Sequence, residues 1–297
     1  MIINRRVPFK FLLNEIKVQL FTVALLGVTF GLLPYYLPDY APDISIQIAT
    51  TLGIAISILL SYKINQSYNR WWEARTIWGA IVNDSRSLIL QLQLYVKTEN
   101  VDVAKISHYQ IGWCRALERS LRRQDIWPVL EDLLSEEEIK KLQEHSNVPL
   151  AISQLQNGCL KKLYDEKLLN EFALLQIEKT LNDLVASMGR AERIKNTVFP
   201  PTFGQILHAA IYLFAVFLSL SSSFHLNIVL QVVILISVSM MFFFLEMLAH
   251  RLQDPFSNSP TDTPMTALSR TIEINIRQLL NEKEIPDPIE PQGFYLM

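Results

Sequence analysis

Three features of the sequence predict an all-α fold of four transmembrane helices plus a cytosolic helical bundle. The first is the segregation of charge. Windows 19–37, 44–62, 203–223 and 226–248 together hold about 82 residues and one formally charged side chain, Glu246. Each meets the roughly 20 apolar residues needed to cross about 30 Å of hydrocarbon. The other stretches carry the remaining 55 of 56 charges, about 26% of their residues, as a soluble domain does. The second feature is the scarcity of glycine, nine in 297 residues, with no alternating β pattern persisting beyond a few positions. The third is the placement of Lys and Arg on one side of every span.

Taken in order, residues 1–17 carry Arg5, Arg6, Lys10 and Lys17 ahead of the first window. The apolar stretch that follows is too long for a secretory h-region, and Pro34 and Pro38 stand where a cleavage site would need small residues. It is therefore expected to be retained as the first span. Residues 38–43 contain Asp39 and Asp43 without Lys or Arg, and Phe224 and His225 make a very short third turn, so both connections are expected outside. Lys63, Arg70 and Arg75 after the second span, Arg190, Arg193 and Lys195 before the third and Arg251 after the fourth place the other flanks, and both termini, in the cytoplasm.

Past the second span, residues 61–75 continue as helix, because neither Gly nor Pro interrupts them before Gly79. Leu88, Leu92, Tyr95 and Val96 recur at helical spacing, as do Ile111, Cys114, Leu117 and Leu121, and then Leu168, Phe172, Leu175, Lys179 and Asn182. Ser135 before Glu136, Glu137 and Glu138 is a capped helix start. Residues 254–264 form a polar loop, 266–282 an amphipathic helix, and 286–297 an extended tail with Pro286, Pro288 and Pro291. The expected layout is an N-terminal amphipathic segment and two spans in 1–62, a cytosolic helical region in 63–200, two further spans in 201–250, and a cytosolic loop, helix and tail in 251–297.

Composition excludes some functions. With 27 Lys+Arg against 29 Asp+Glu and no basic run, there is no electrostatic footprint for nucleic acid. Cys114 and Cys159 lack metal-ligand spacing and read as buried or idle thiols. No phosphate loop, nucleophile elbow, His-Glu-x-x-His or Cys-x-x-Cys is present, so no catalytic residue, metal or cofactor is assigned. Glu246 and His250 stand four apart near the inner end of the fourth span; with His208 they could form a metal or proton site, but a paired structural carboxylate is the commoner arrangement near an interface.

The second span is the most informative. Gly53, Ser57, Ser61 and Asn65 recur every four residues, beside a bulky strip of Ile54, Ile58 and Tyr62. Two readings stand. The small strip suits close helix packing in lipid, whereas the bulky strip, repeated around a ring of subunits, would make a constriction that gates by dewetting. Trp71, Trp72 and Trp78 follow as either an interfacial belt or anchors in a cytosolic core; Arg70, Glu73 and Arg75 on the other faces favour the core for Trp72 and Trp78.

Four segments then occur in the order seen in bestrophins: Asn69-Arg70-Trp71-Trp72-Glu73-Ala74-Arg75 after the second span, Gly189-Arg-Ala-Glu192-Arg193-Ile194 before Pro200, Asp254-Pro255-Phe256 after the fourth span, and Arg270-Thr-Ile-Glu273-Ile-Asn275-Ile-Arg277 near the end. The chain resembles that family, in its bacterial branch, over nearly its whole length. The resemblance implies a homopentameric, barrel-like ion channel with one central pore running into a cytosolic vestibule, in a bacterial inner membrane. It implies a neck of bulky apolar residues ending eight before the Arg-Trp-Trp motif, which falls on Ile54, Ile58 and Tyr62. It also implies a cytosolic constriction upstream of the Gly-x-x-Glu-Arg segment, matched best by Phe172 and next by Leu168. Calcium-regulated animal members carry a dense acidic cluster after the Asn-Pro-Phe equivalent; here Ser257-Asn-Ser-Pro-Thr-Asp262-Thr offers one carboxylate, few for a calcium site of 6 to 8 oxygens.

The expected function is passive conduction of small monovalent ions, chloride or another anion, or sodium or another cation, the uncharged neck leaving the sign undecided. The expected partners are those ions, the bilayer and copies of the same chain. The rival is a membrane-anchored sensor or scaffold whose helical region binds a protein partner.

Overall fold

The computed structural model describes residues 8–296 except 41, 43, 99, 198, 224, 225 and 292. Arg5, Arg6, Asp43, Phe224 and His225, which entered the topology argument above, lie outside the described residues. The described chain is helical: α1 (Phe9–Tyr36), α2 (Ile46–Tyr95), α3 (Val101–Arg122), α4 (Glu136–Gln143), α5 (Val148–Asp165), α6 (Glu171–Asn196), α7 (Pro201–Ser222), α8 (Ile228–Gln253) and α9 (Met265–Leu279), with short 3-10 turns at Pro38–Tyr40 and Trp127–Val129. Its described residues divide into two compact units, one within Asn4–Arg70 and Val198–Gln253, the other within Trp71–Thr197 and Asp254–Met297.

The first unit holds α1, the 46–70 part of α2, α7 and α8. Among the described residues, α1, α2, α7 and α8 are each long and apolar enough to cross a membrane. Their outward faces are apolar, with Phe21, Leu25, Ile206, Val229 and Met241 all exposed. In water that surface would be unstable, whereas in lipid it is the solvated one. The interior is thin, built on Ile16, Val23, Ile56, Leu60, Leu207, Ile211, Leu235 and Phe243. Helix α1 packs on α8 and α7. Two glycines four apart allow this approach: a Cβ at Gly27 would fall 2.7 Å from the Leu235 Cδ2, and one at Gly31 2.6 Å from the Ile228 Cδ1. The Ser219 hydroxyl donates to the Gly27 carbonyl at 3.1 Å, and the Gln231 amide donates to the Ser219 Oγ at 2.7 Å. This polar seam ties α1, α7 and α8.

The second unit follows the rule for water. Trp78, Ile81, Leu88 and Leu92 from α2 join Trp113, Leu117, Ile152, Ile177 and Ile272 in one continuous core. Helix α3 packs on α5 and α9, and α5 on α6. Side-chain caps set the helix starts: Asn100 for α3, Ser135 with Glu138 in a full capping box for α4, Asn147 for α5 and Asn170 for α6. Cys114 is fully buried and burial pushes its thiol up to about 12; burial also raises Cys159. Burial disfavours the thiolate at both.

Helix α2 runs 50 residues without a break. Two details differ from the sequence reading. Leu168 is not helical: the Asn170 side chain accepts from the Ala173 amide and starts α6 at Glu171, leaving Leu168 in the preceding bend. Trp78 is fully buried, but Trp72 is 55% exposed. Six residues is about 600° of helical rotation, which leaves the two indoles about 120° apart and on different faces.

Candidate functional site

The site is built on the 46–70 part of α2. Ile54, Ile58 and Tyr62 stand 59%, 65% and 56% exposed, while Ile56, Leu60 and Lys63 on the other side of the same turns are buried. The helix therefore has a fixed inner face and an outward stripe of bulky apolar groups. An open groove of about 870 Å³ runs along it, lined by Ile54, Ile58, Tyr62 and Asn65 together with Phe214 and Phe242. The small strip behaves differently along its length. A Cβ at Gly53 would meet Phe214 of α7 at 3.2 Å, so that end serves packing. Ser57, Ser61 and Asn65 are exposed, and the Ser57 hydroxyl is folded back onto the Gly53 carbonyl at 2.8 Å.

Two cations belong to this stretch of α2, and both face away from the stripe. Lys63 is 1% exposed, and its Nζ lies 2.7 Å from the Glu246 Oε1. The second carboxylate oxygen of Glu246 is 3.0 Å from the His208 Nε2. This corrects the pairing suggested by the four-residue spacing: Glu246 is held by Lys63 and His208, while His250 is exposed. Among the described residues, no group of His, Cys, Asp and Glu is placed to hold a metal ion. The pair welds α2 to α8, with His208 bringing in α7. Lys63 is 183 residues from its partner, so no local pattern could have revealed it. Arg70 donates from Nε to the Gln253 carbonyl at 2.9 Å, a cation at the C-terminus of α8.

In the other unit, the remaining motif residues meet one another. Glu73 pairs with Arg193 at 2.6 Å, and the Trp71 indole donates to the Thr261 carbonyl at 2.9 Å. Lys195 pairs with Asp254 at 2.8 Å. The Asp254 Oδ1 accepts from the Phe256 amide at 3.1 Å, forming the turn that buries the Phe256 ring completely, and Pro255 offers its carbonyl to the Thr263 amide at 3.2 Å. Asp262 is buried in the same loop and accepts from the Ser259 amide at 3.1 Å and the Ser257 hydroxyl at 3.3 Å. Burial raises its carboxyl to about 6, with the charge of Asp254 adding to the effect. In α9, Glu273 takes Arg115 at 2.7 Å and Arg277 at 3.1 Å, and Asn275 accepts from Arg86 at 2.9 Å. The motifs thus read as joints that fix loop 254–264 and α9 to α2, α3 and α6. Phe172 opens α6 and is 85% exposed, with Leu168 43% exposed before it and Leu175 62% exposed one turn on.

A profile of the family described as Bacterial/Fungal Bestrophin protein matches residues 10–278. The voltage-dependent anion channel-forming protein alr2987 of Nostoc sp. is 32% identical over 224 residues, 73% of this chain and 72% of the relative. The voltage-dependent anion channel-forming protein YneE of Escherichia coli is 28% identical over 234 residues, 79% of this chain and 76% of the relative. The crystal structure of a bacterial Bestrophin homolog from Klebsiella pneumoniae is similar with a TM-score of 0.86 at 25% identity, covering 91% of this chain and 100% of that one. With the Arg-Trp-Trp-Glu, Gly-x-x-Glu-Arg and Asp-Pro-Phe segments meeting in space as well as in order, the chain belongs to the bacterial and fungal branch of the bestrophins, a family of membrane channels and not of enzymes.

Proposed function

We propose that this protein is a homopentameric channel that passes small monovalent ions through a neck of Ile54, Ile58 and Tyr62. The observation that carries the reading is the outward stripe on α2: three large apolar side chains, each more than half exposed, at one helical repeat. Four spans cannot enclose a pathway by themselves, so a lumen lined by this stripe needs copies of the chain around an axis. Rings of Ile and Tyr then form an uncharged constriction that conducts when wet and closes when dry. Phe172 lines a second constriction in the cytosolic part, with Leu168 beside it. Residues 1–62 and 201–250 make the membrane layer, and 63–200 with 251–297 the cytosolic vestibule. Both termini lie in the cytoplasm of a bacterial inner membrane. The names of the relatives favour an anion as the permeant species.

The test is a reconstituted planar bilayer under a salt gradient, with subunit number measured in detergent. A pentamer whose reversal potential follows one ion supports the reading; a monomer or dimer without current supports a membrane-anchored scaffold instead. Ile58→Ala lowers the dewetting barrier and is expected to raise single-channel conductance or open probability. Unchanged currents from a normally assembled variant would remove Ile58 from the neck.

A further inference from the structure

Below Tyr62 the exposed stripe does not stop; it changes chemistry. Asn65 and Asn69 are both exposed, and at about 100° per residue they fall inside the arc already occupied by Ile54, Ile58 and Tyr62. Asn65 lies about 4.5 Å beyond Tyr62 along the axis, and Asn69 about 6 Å further. The Asn69 Nδ2 donates to the Asn65 Oδ1 at 3.4 Å, joining the two carboxamides into one ladder. The remaining capacity of the pair is an amide donor on Asn65 and a carbonyl acceptor on Asn69. Asn65 also lines the groove that contains the stripe.

No fixed charge of residues 46–70 competes with these amides. The cations of residues 46–70 are Lys63 and Arg70; Lys63 is buried against Glu246 and Arg70 is bonded to the Gln253 carbonyl. Ser57, the residue just before Ile58 on the neighbouring strip, has its hydroxyl turned onto the backbone. Past Tyr62, the first side chains within this arc are therefore carboxamides.

We propose that Asn65, oriented by Asn69, is a specificity-determining residue at the inner mouth of the neck, where a ring of carboxamides takes over the hydration of a small monovalent ion. This rests on the channel reading above. An apolar side chain at 65 lengthens the dry section by one ring, whereas a charge at 65 acts on the ion at the point where it is least hydrated.

The experiment compares wild type with Asn65→Leu, Asn65→Gln, Asn65→Asp and Asn65→Lys as assembled oligomers in a planar bilayer under a sodium chloride gradient, with Gln205→Asp, an exposed change on α7, as the control. Asn65→Leu is expected to lose most of the conductance and Asn65→Gln to keep it. Asn65→Asp moves the reversal potential toward that of sodium and Asn65→Lys toward that of chloride, while Gln205→Asp leaves it in place. Full conductance in Asn65→Leu, or reversal potentials of the two charged variants no different from the control, overturns the assignment while leaving the channel intact. A wild-type protein that passes no current overturns the channel reading and this assignment together.

Discussion

In the 46–70 part of α2, the large apolar side chains Ile54, Ile58 and Tyr62 are exposed and the cation Lys63 is buried. In the 71–95 part Ile77, Trp78, Ile81, Leu88, Ile89 and Leu92 are buried in a continuous core, and Thr76 and Asn83 are exposed. The backbone is one unbroken helix of 50 residues. What changes along it is the medium. Lipid, or a narrow lumen, tolerates apolar groups outside and makes an unpaired charge costly, whereas water rewards apolar burial and solvates charge freely. A helical hydrophobic period therefore reports which residues share a face, and the surroundings decide whether that face points in or out.

The contrast can be broken first at the buried ion pair. Glu246→Ala leaves Lys63 charged and enclosed, and the expected loss is about 3–5 kcal/mol, read as a lower thermal midpoint in detergent. The double change Lys63→Met with Glu246→Leu removes both charges and is expected to recover most of that loss. A double variant as unstable as the single one would show that the pair matters for something other than charge.

The two tryptophans sharpen the same comparison in the water-exposed half. Trp78→Ala empties a fully buried site and is expected to cost about 3–5 kcal/mol. Trp72→Ala removes a ring that is 55% exposed, and the expected cost is within about 0.5 kcal/mol. Equal losses in denaturant unfolding would mean that Trp72 is covered in the assembled protein.

The last effect concerns pH. Asp262 has its carboxyl raised from 3.8 to about 6, chiefly by burial. Between those values the native state holds a proton that the unfolded chain has released, so its contribution is full below about pH 4 and is lost as pH rises through 6. The difference is about 3 kcal/mol at most. Asp262→Asn is expected to lack this slope, so subtracting its stability curve from that of wild type isolates the residue. A flat difference between pH 4 and 7 would show that the loop keeps Asp262 ionised.

Much of the fold was legible because its signals are local. The four spans follow from charge segregation, and the α4 cap from Ser135 and Glu138. The stripe on α2 follows from the recurrence of Ile54, Ile58 and Tyr62. The errors share a cause. Leu168 fits the helical period but precedes the Asn170 cap, which a period cannot see. The charge of its neighbours favours the core for Trp72, yet Arg70 and Glu73 spend theirs on the Gln253 carbonyl and on Arg193. Gly27 and Gly31 carry no local signal, because a glycine four residues from another acquires meaning only where Leu235 and Ile228 press on it.

By itself, then, the sequence determined the elements, the membrane layer and the family, since each depends on residues near one another in the chain or on motif order. The tertiary structure decided the partners. It set Lys63 against Glu246 and not Glu246 against His250, turned both cations of the span away from the Ile54, Ile58, Tyr62 and Asn65 face, and joined the motifs around loop 254–264. Those choices rest on contacts between residues up to 183 or 190 positions apart, and a charge enclosed in a membrane protein is stable only where such a partner stands within hydrogen-bonding distance.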